Sequence, residues 1–230
     1  MARVEARLNR PPPPFPAHVL GFKPKRRVGL LGGSFNPAHV GHRHIAELAL
    51  KRLGLDEVWF LVSPGNPLKR ADGMAALEER LKSAEAIADH PRLRATAIES
   101  ALGTRFTADT LAALVRRFPR TDFVWLMGAD NLIQLPRWER WTSIFHSVPI
   151  AIFARPSYST NALAGKAAHR FSTARRRSLR KAARLASRKP PAWVFMHTRL
   201  HPESATSIRA RRGSQSGPQP SRQAESKQPV

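Results

Sequence analysis

Residues 28–53 read VGLLGGSFNPAHVGHRHIAELALKRL, and the fold follows from how this stretch divides. Val28 to Leu31 is a short apolar run suited to a buried parallel strand, and it stops at Gly32 and Gly33. A tight turn must follow, because Pro37 keeps Asn36 out of the helical region. Apolar residues then recur at Ile45, Leu48, Ala49 and Leu53, one face of a helix, and Gly54 is its natural C-terminal stop. A strand, a glycine turn and a helix in that order set the helix N-terminus beside the carboxyl end of the strand. Free backbone N–H groups and the helix dipole attract phosphate there. His39 and His42, on either side of Gly41, both reach toward whatever anion that helix end holds.

The run Gly32-Gly33-Ser34-Phe35-Asn36-Pro37-Ala38-His39-Val40-Gly41-His42 resembles the nucleotide-binding signature of the HxGH nucleotidyltransferase superfamily. Its members join a phosphate-bearing substrate to a nucleoside triphosphate. The strand before the motif and the helix after it supply the context that a lone HxGH lacks. Two other readings of the histidines are weaker. They could be ordinary loop and helix-start residues, or with His44 they could form a zinc site. A structural zinc site usually wants about four close ligands, whereas the chain has no cysteine and no Glu in HExxH spacing.

Composition bounds the rest. With 230 residues, 42% of them hydrophobic, the chain can bury one substantial core. Zero cysteines exclude disulfide and thiolate chemistry and fit a reducing cytoplasm. No run approaches the roughly 18 apolar residues of a membrane helix, and the N-terminus has no apolar signal core. A soluble, cytoplasmic protein is expected. The net charge of +23 argues for a polyanionic partner, or for basic extensions on an enzyme of nucleotides.

In chain order, residues 1–26 are expected to form a disordered, basic and Pro-rich leader. Glu57 to Ser63 reads as a strand parallel to the first, and its exit loop offers Lys69 as a phosphate cation. Met74 to Ala88 has helical periodicity and Leu93 to Ile98 suits a third strand. Thr107 reads as the N-cap of a helix that buries Leu111, Leu114, Val115 and Phe118. Asp122 to Met127 is the next strand, ending in Gly128-Ala129-Asp130-Asn131-Leu132, where Asp130 could bind a ribose hydroxyl, orient a metal-bound phosphate or simply cap a helix. Trp138 offers a flat indole face, with Trp141 read as core and a helix beginning near Trp138 and Glu139. Val148 to Ala154 is another strand, followed by Arg155.

No acidic residue lies between Glu139 and Glu203, and Lys166 to Lys189 is dense in arginine and alanine. This stretch is expected to form a basic insert at about residues 160–190, two short helices gripping the core weakly. Ala192 to His197 is the last strand, Ser204 to Arg209 starts a helix, and residues 213–230 read as a disordered tail.

Three further segments narrow the resemblance. Arg105 to Thr110 is similar to the SYTxDT segment of the nicotinate mononucleotide adenylyltransferases, with Arg105 and Phe106 replacing Ser and Tyr. GADNL at residues 128–132 resembles GxDxL, and SATSIR at residues 204–209 resembles the second superfamily signature, SSTxIR. The resemblance covers residues 27–212 and implies an α/β fold, a Rossmann-like doubly wound parallel sheet with flanking helices. It implies adenylyl transfer from ATP, with Mg2+, to nicotinate mononucleotide. His42 is implied as the transition-state donor, with His39, Lys69 and Arg209 on phosphates. ATP would meet Gly32, Gly33, Ser34, Phe35, His39, His42, Gly128, Asp130, Ser204, Thr206 and Arg209. Nicotinate mononucleotide would meet Asn36, Lys69, Thr107, Trp138, Glu139 and Arg155, and no resident metal site is implied.

Adenylyltransferases of nicotinamide mononucleotide or phosphopantetheine share HxGH, and the TxDT segment with Trp138 favours the nicotinate branch over both. A nucleic-acid-binding protein would also suit the charge, yet no RNA- or DNA-binding motif occurs and the aromatics are not interleaved with the basic run. Homo-oligomerisation is left open.

Overall fold

The computed structural model describes residues 25–65, 73–155, 157–177 and 184–197. Strand β1 (Arg26–Gly33) leads through the glycine turn to helix α1 (Val40–Leu53), which Gly54 ends in the left-handed conformation at φ 61°. Strand β2 (Glu57–Val62), helix α2 (Leu77–Ile87) and strand β3 (Leu93–Thr96) follow. Then come helices α3 (Ile98–Leu102) and α4 (Thr107–Arg117), strand β4 (Thr121–Gly128), and helices α5 (Ala129–Gln134) and α6 (Trp141–Ser147). Strand β5 (Ile150–Phe153), helices α7 (Ser159–Ala164) and α8 (Lys166–Arg170), and strands β6 (Arg175–Arg176) and β7 (Trp193–Met196) complete the described residues.

Every ladder among these strands is parallel, and their order is β3-β2-β1-β4-β5-β7-β6. The chain runs outward from β1 to β3, then returns to β1's other side and runs outward again through β4 and β5. That reversal makes the carboxyl ends of β1 and β4 the switch point where a doubly wound sheet leaves a crevice. The apolar runs read from the sequence are therefore continuous because both faces are covered. One face packs Leu30, Trp59, Leu111, Trp125 and Phe145; the other packs Leu31, Leu50, Phe60, Leu126 and Phe153.

Several expectations change. Val115, expected on the buried face of α4, is 42% exposed. β1 does not stop at the glycine pair but runs through it to Gly33. Thr107 is the first helical residue of α4, and Phe106 holds the N-cap position in extended conformation. No helix begins at Trp138 and Glu139: a 3-10 turn over Leu135–Arg137 ends at Trp138, and α6 starts at Trp141.

The basic stretch grips the core more firmly than expected; of its two expected helices α8 is described, and residues 178–183 lie outside the described residues. Among the described residues, Lys166 to Lys189 contributes the five-residue α8, a 3-10 turn and the edge strand β6. Phe171 stacks on Phe145 with centroids 3.9 Å apart, Trp193 Nε1 donates to the Phe171 carbonyl at 2.7 Å, and Leu185 is fully buried. Phe171 and Leu185 bind it to the sheet together with the buried alanines Ala167, Ala168, Ala174 and Ala186. Trp141 meets its expectation as a packing residue, edge-on to Phe145 and Phe171. Of the proposed leader only Lys25 and Arg26 are described, Arg26 opening β1; residues 1–24 and the tail lie outside the described residues.

Candidate active site

Strand register brings the candidate residues to one level. Gly33 of β1 pairs with Val62 of β2, Leu31 pairs with Leu126 of β4, and Gly128 pairs with Phe153 of β5. Four adjacent strands therefore finish side by side, and the turns that leave them share one edge of the sheet.

The turn after β1 is held from within. Phe35 has φ 48°, a left-handed backbone uncommon for a bulky side chain, and its ring is buried 5.5 Å from Phe60 in a stacked pair. Burying that ring offsets the backbone strain and leaves only the main chain of Phe35 to meet a ligand. Asn36 spends its side-chain amide on the chain itself, donating to the Gly73 carbonyl at 2.9 Å and accepting from the Ala75 amide at 3.3 Å. Gly32 answers to packing, since a Cβ there would overlap the Trp125 indole.

His39 occupies the N-cap of α1 and is 4% exposed, while His42 lies on the first turn and is half-buried. Their rings sit 3.8 Å apart, and Phe35 packs 4.8 Å from His42. The His39 amide donates to Nδ1 of His42 at 3.2 Å. An acceptor at Nδ1 places the proton of the neutral ring on Nε2, a donor at the N-terminus of a helix.

At the ends of β4 and β5 the structure joins two residues expected in different subsites. Asp130 and Arg155 form an ion pair at 3.2 Å, and a Cβ on Gly128 would overlap both partners. Gly128 is the residue that lets them meet. On the far side, Asp109 of the first α4 turn pairs with Arg140, which adopts the left-handed conformation at φ 47°. The pair ties the Thr107 turn to the segment carrying the half-buried Trp138 and the exposed Glu139. The Trp138 amide donates to the Leu135 carbonyl at 2.9 Å.

Lys69, Ser204, Thr206 and Arg209 lie outside the described residues. Among the described residues, no group of three or more His, Asp, Glu or Cys side chains could hold a metal ion. No helix of the described residues is long and apolar enough to cross a membrane.

Three buried charges escaped the sequence reading: Glu57, ion-paired with Arg26 at 2.6 Å and Arg94 at 3.4 Å, then Arg80 and Glu99. Arg80 of α2 is 2% exposed and donates to the carbonyls of Ala75 (2.9 Å), Ser34 (2.7 Å), Ser63 (2.6 Å) and Pro64 (3.1 Å). Burial holds its guanidinium below the ordinary arginine range. Within LEERLKSA it resembles a solvated helix arginine; the available signal was its place four residues before the buried Ala84, on the same face. Glu99 of α3 is 6% exposed and accepts from Thr110 Oγ1 at 3.3 Å, with Thr110 Oγ1 2.9 Å from Thr104 Oγ1. Burial pushes its carboxyl up to about 7, against the lowering effect of the Thr110 and Ser63 hydroxyls. No local sequence pattern marks it.

The cytidylyltransferase-like family matches residues 30–211. A probable nicotinate-nucleotide adenylyltransferase of Parvibaculum lavamentivorans is 53% identical over 193 residues, 83% of this chain and 94% of that one. A probable nicotinate-nucleotide adenylyltransferase of Cereibacter sphaeroides is 52% identical over 183 residues, 80% of this chain and 96% of that one. The chain belongs to the nicotinate-nucleotide adenylyltransferase family. The solved Plasmodium falciparum nicotinic acid mononucleotide adenylyltransferase complexed with NaAD overlays at a TM-score of 0.60, covering 80% of this chain and 83% of that one. At 14% identity that likeness concerns the fold. It agrees with a parallel Rossmann-like sheet as the family scaffold.

Proposed function

We propose that the carboxyl edge of this sheet transfers the adenylyl group of ATP to nicotinate mononucleotide, forming deamido-NAD and pyrophosphate. The observation that carries this reading is the His39–His42 pair at the start of α1, set beside the end of β1 by a turn whose sequence is that of the family. A phosphate oxygen of nicotinate mononucleotide attacks the α-phosphorus of ATP. As that P–O bond forms, the bond to the β-phosphate bridging oxygen breaks, and pyrophosphate leaves with the electron pair. No enzyme nucleophile takes part, so the protein contributes position and electrostatics.

Nε2 of His42 donates to oxygens whose charge grows in the transition state, and the α1 N-terminus adds its dipole. His39, Lys69 and Arg209 serve the phosphates, with Ser204 and Thr206 at the ATP side. Gly32, Gly33, Ser34 and Phe35 contribute through their main chain. Asp130, ion-paired with Arg155, is suited to the ribose hydroxyls of ATP, and Arg155 stands with the residues proposed for nicotinate mononucleotide. The indole of Trp138 stacks the pyridine ring beside Thr107 and Glu139. Mg2+ arrives as part of the ATP substrate and screens its phosphates. The absence of cysteine and the use of ATP suit a cytoplasmic enzyme.

The deciding experiment measures pyrophosphate release from MgATP with nicotinate mononucleotide, nicotinamide mononucleotide and phosphopantetheine in parallel. Fastest turnover with nicotinate mononucleotide supports the reading. Faster turnover with either rival reassigns the second substrate, and no release with any of them removes the activity.

A further inference from the structure

Arg80 has no part in the chemistry above, yet it is the most deeply engaged cation among the described residues, 2% exposed and bonded to the carbonyls of Ser34, Ser63, Pro64 and Ala75. These carbonyls belong to three separate stretches of chain. Ser34 follows β1, Ser63 and Pro64 follow β2, and Ala75 precedes α2. Among the described residues no carboxylate pairs with it, so the guanidinium charge faces only peptide dipoles.

A trans peptide plane points its carbonyl and its following N–H in opposite directions. The Ser34–Phe35 and Pro64–Gly65 bonds are trans, since the cis bonds of the described residues are Asn36–Pro37 and Pro190–Pro191. Drawing the Ser34 and Pro64 oxygens inward to Arg80 therefore turns the amides of Phe35 and Gly65 away from it. It also covers the negative ends of those dipoles, which would repel an approaching anion.

We propose that Arg80 is a positioning residue for phosphate binding: a buried cation that sorts the peptide planes after β1 and β2, so that the Phe35 and Gly65 amides are presented to the phosphates of ATP. The inference rests on the reading that these turns face the phosphates. Lysine cannot reproduce it, because a single ammonium lacks the planar fork that serves acceptors on several sides at once.

The test compares full-length wild type, Arg80→Lys and Arg80→Met for binding of inorganic pyrophosphate and of adenosine, with thermal unfolding as a folding control. Adenosine carries no phosphate, so general loosening would weaken both ligands, whereas misdirected amides weaken only pyrophosphate. The expected result for Arg80→Lys is about tenfold or more weaker pyrophosphate binding, adenosine affinity within twofold, and a KM for ATP raised with the pyrophosphate constant. Equal loss for both ligands, or no loss for either, overturns the proposal. If neither variant folds, amide NMR of the wild type decides: pyrophosphate is expected to shift the Phe35 and Gly65 signals downfield, and unmoved signals overturn it. Pyrophosphate that binds the wild type without touching these amides refutes the phosphate reading itself. Binding there that survives Arg80→Lys refutes only the role of Arg80.

Discussion

The amide of His39 donates to Nδ1 of His42 at 3.2 Å, so the N-cap residue of α1 selects the tautomer of the histidine one turn further on. With Nδ1 occupied as an acceptor, Nε2 is the donor in the neutral ring. In the proposed mechanism its contribution is made to charge that develops in the transition state. His42→Ala should accordingly lower kcat by roughly two orders of magnitude while leaving ATP binding comparatively intact. Single-turnover kinetics beside ATP binding measures the split; unchanged turnover would remove the mechanism.

The buried carboxyl of Glu99 sets a pH dependence. Its folded value of about 7 exceeds its ordinary 4.5, chiefly through burial. The folded state therefore holds more protons than the unfolded one between these values. Its contribution falls as pH rises from about 4.5 and levels off above about 7, with a ceiling of about 3 kcal/mol. Glu99→Gln keeps the neutral shape and should flatten that slope, making the variant more stable than the parent at pH 8 but not at pH 5. Urea midpoints at the two pH values measure it, and an unaltered slope in the variant refutes the assignment.

The basic stretch after α8 is anchored by Phe171, which stacks on Phe145 and accepts from the Trp193 indole. Phe171→Ala should cost about 3 to 5 kcal/mol of stability, and excision of residues 166–189 should abolish folding. A soluble deletion variant with native unfolding cooperativity would show that the sheet does not need this edge.

Preference for nicotinate over nicotinamide mononucleotide should be at least about tenfold in kcat/KM, because N–H donors accept a carboxylate but face an amide NH2 badly, at about 1 to 3 kcal/mol. The Trp138 amide is engaged with the Leu135 carbonyl, which leaves the amides of Glu139 and of Thr107 and Ala108 at the start of α4 as candidate donors. Trp138→Ala should weaken both substrates and retain much of the ratio. Equal use by the wild-type enzyme would sink the nicotinate assignment and leave adenylyl transfer standing.

The same turn carries Asp109, whose charge Arg140 offsets. Arg140→Ala should leave Asp109 to repel the substrate carboxylate and reduce the nicotinate preference severalfold, with adding Asp109→Asn restoring part of it. Because the pair is largely exposed, with side chains 53% and 36% accessible, stability should change by less than about 1 kcal/mol. A fall in melting temperature without a change in preference would make the pair merely structural.

What the sequence determined by itself was whatever depends on neighbours along the chain. The apolar runs at Val28 and Asp122, the glycine turn, the periodicity of α1 and the stop at Gly54 are local, and so is the family signature at Gly32 to His42. The strand order was not among these readings: crossover handedness fixes which face a connection covers, and which strands pair is decided by the fold. Tertiary structure alone decided which side chains meet. Asp130 finds Arg155, Asp109 finds Arg140, Phe171 stacks on Phe145, and Arg80 gathers carbonyls from three turns. An arginine on a polar helix and a glutamate in a five-residue helix look solvated in one dimension. Their burial is set by what the sheet lays over them, and desolvation, unlike helical period, leaves no trace in local spacing.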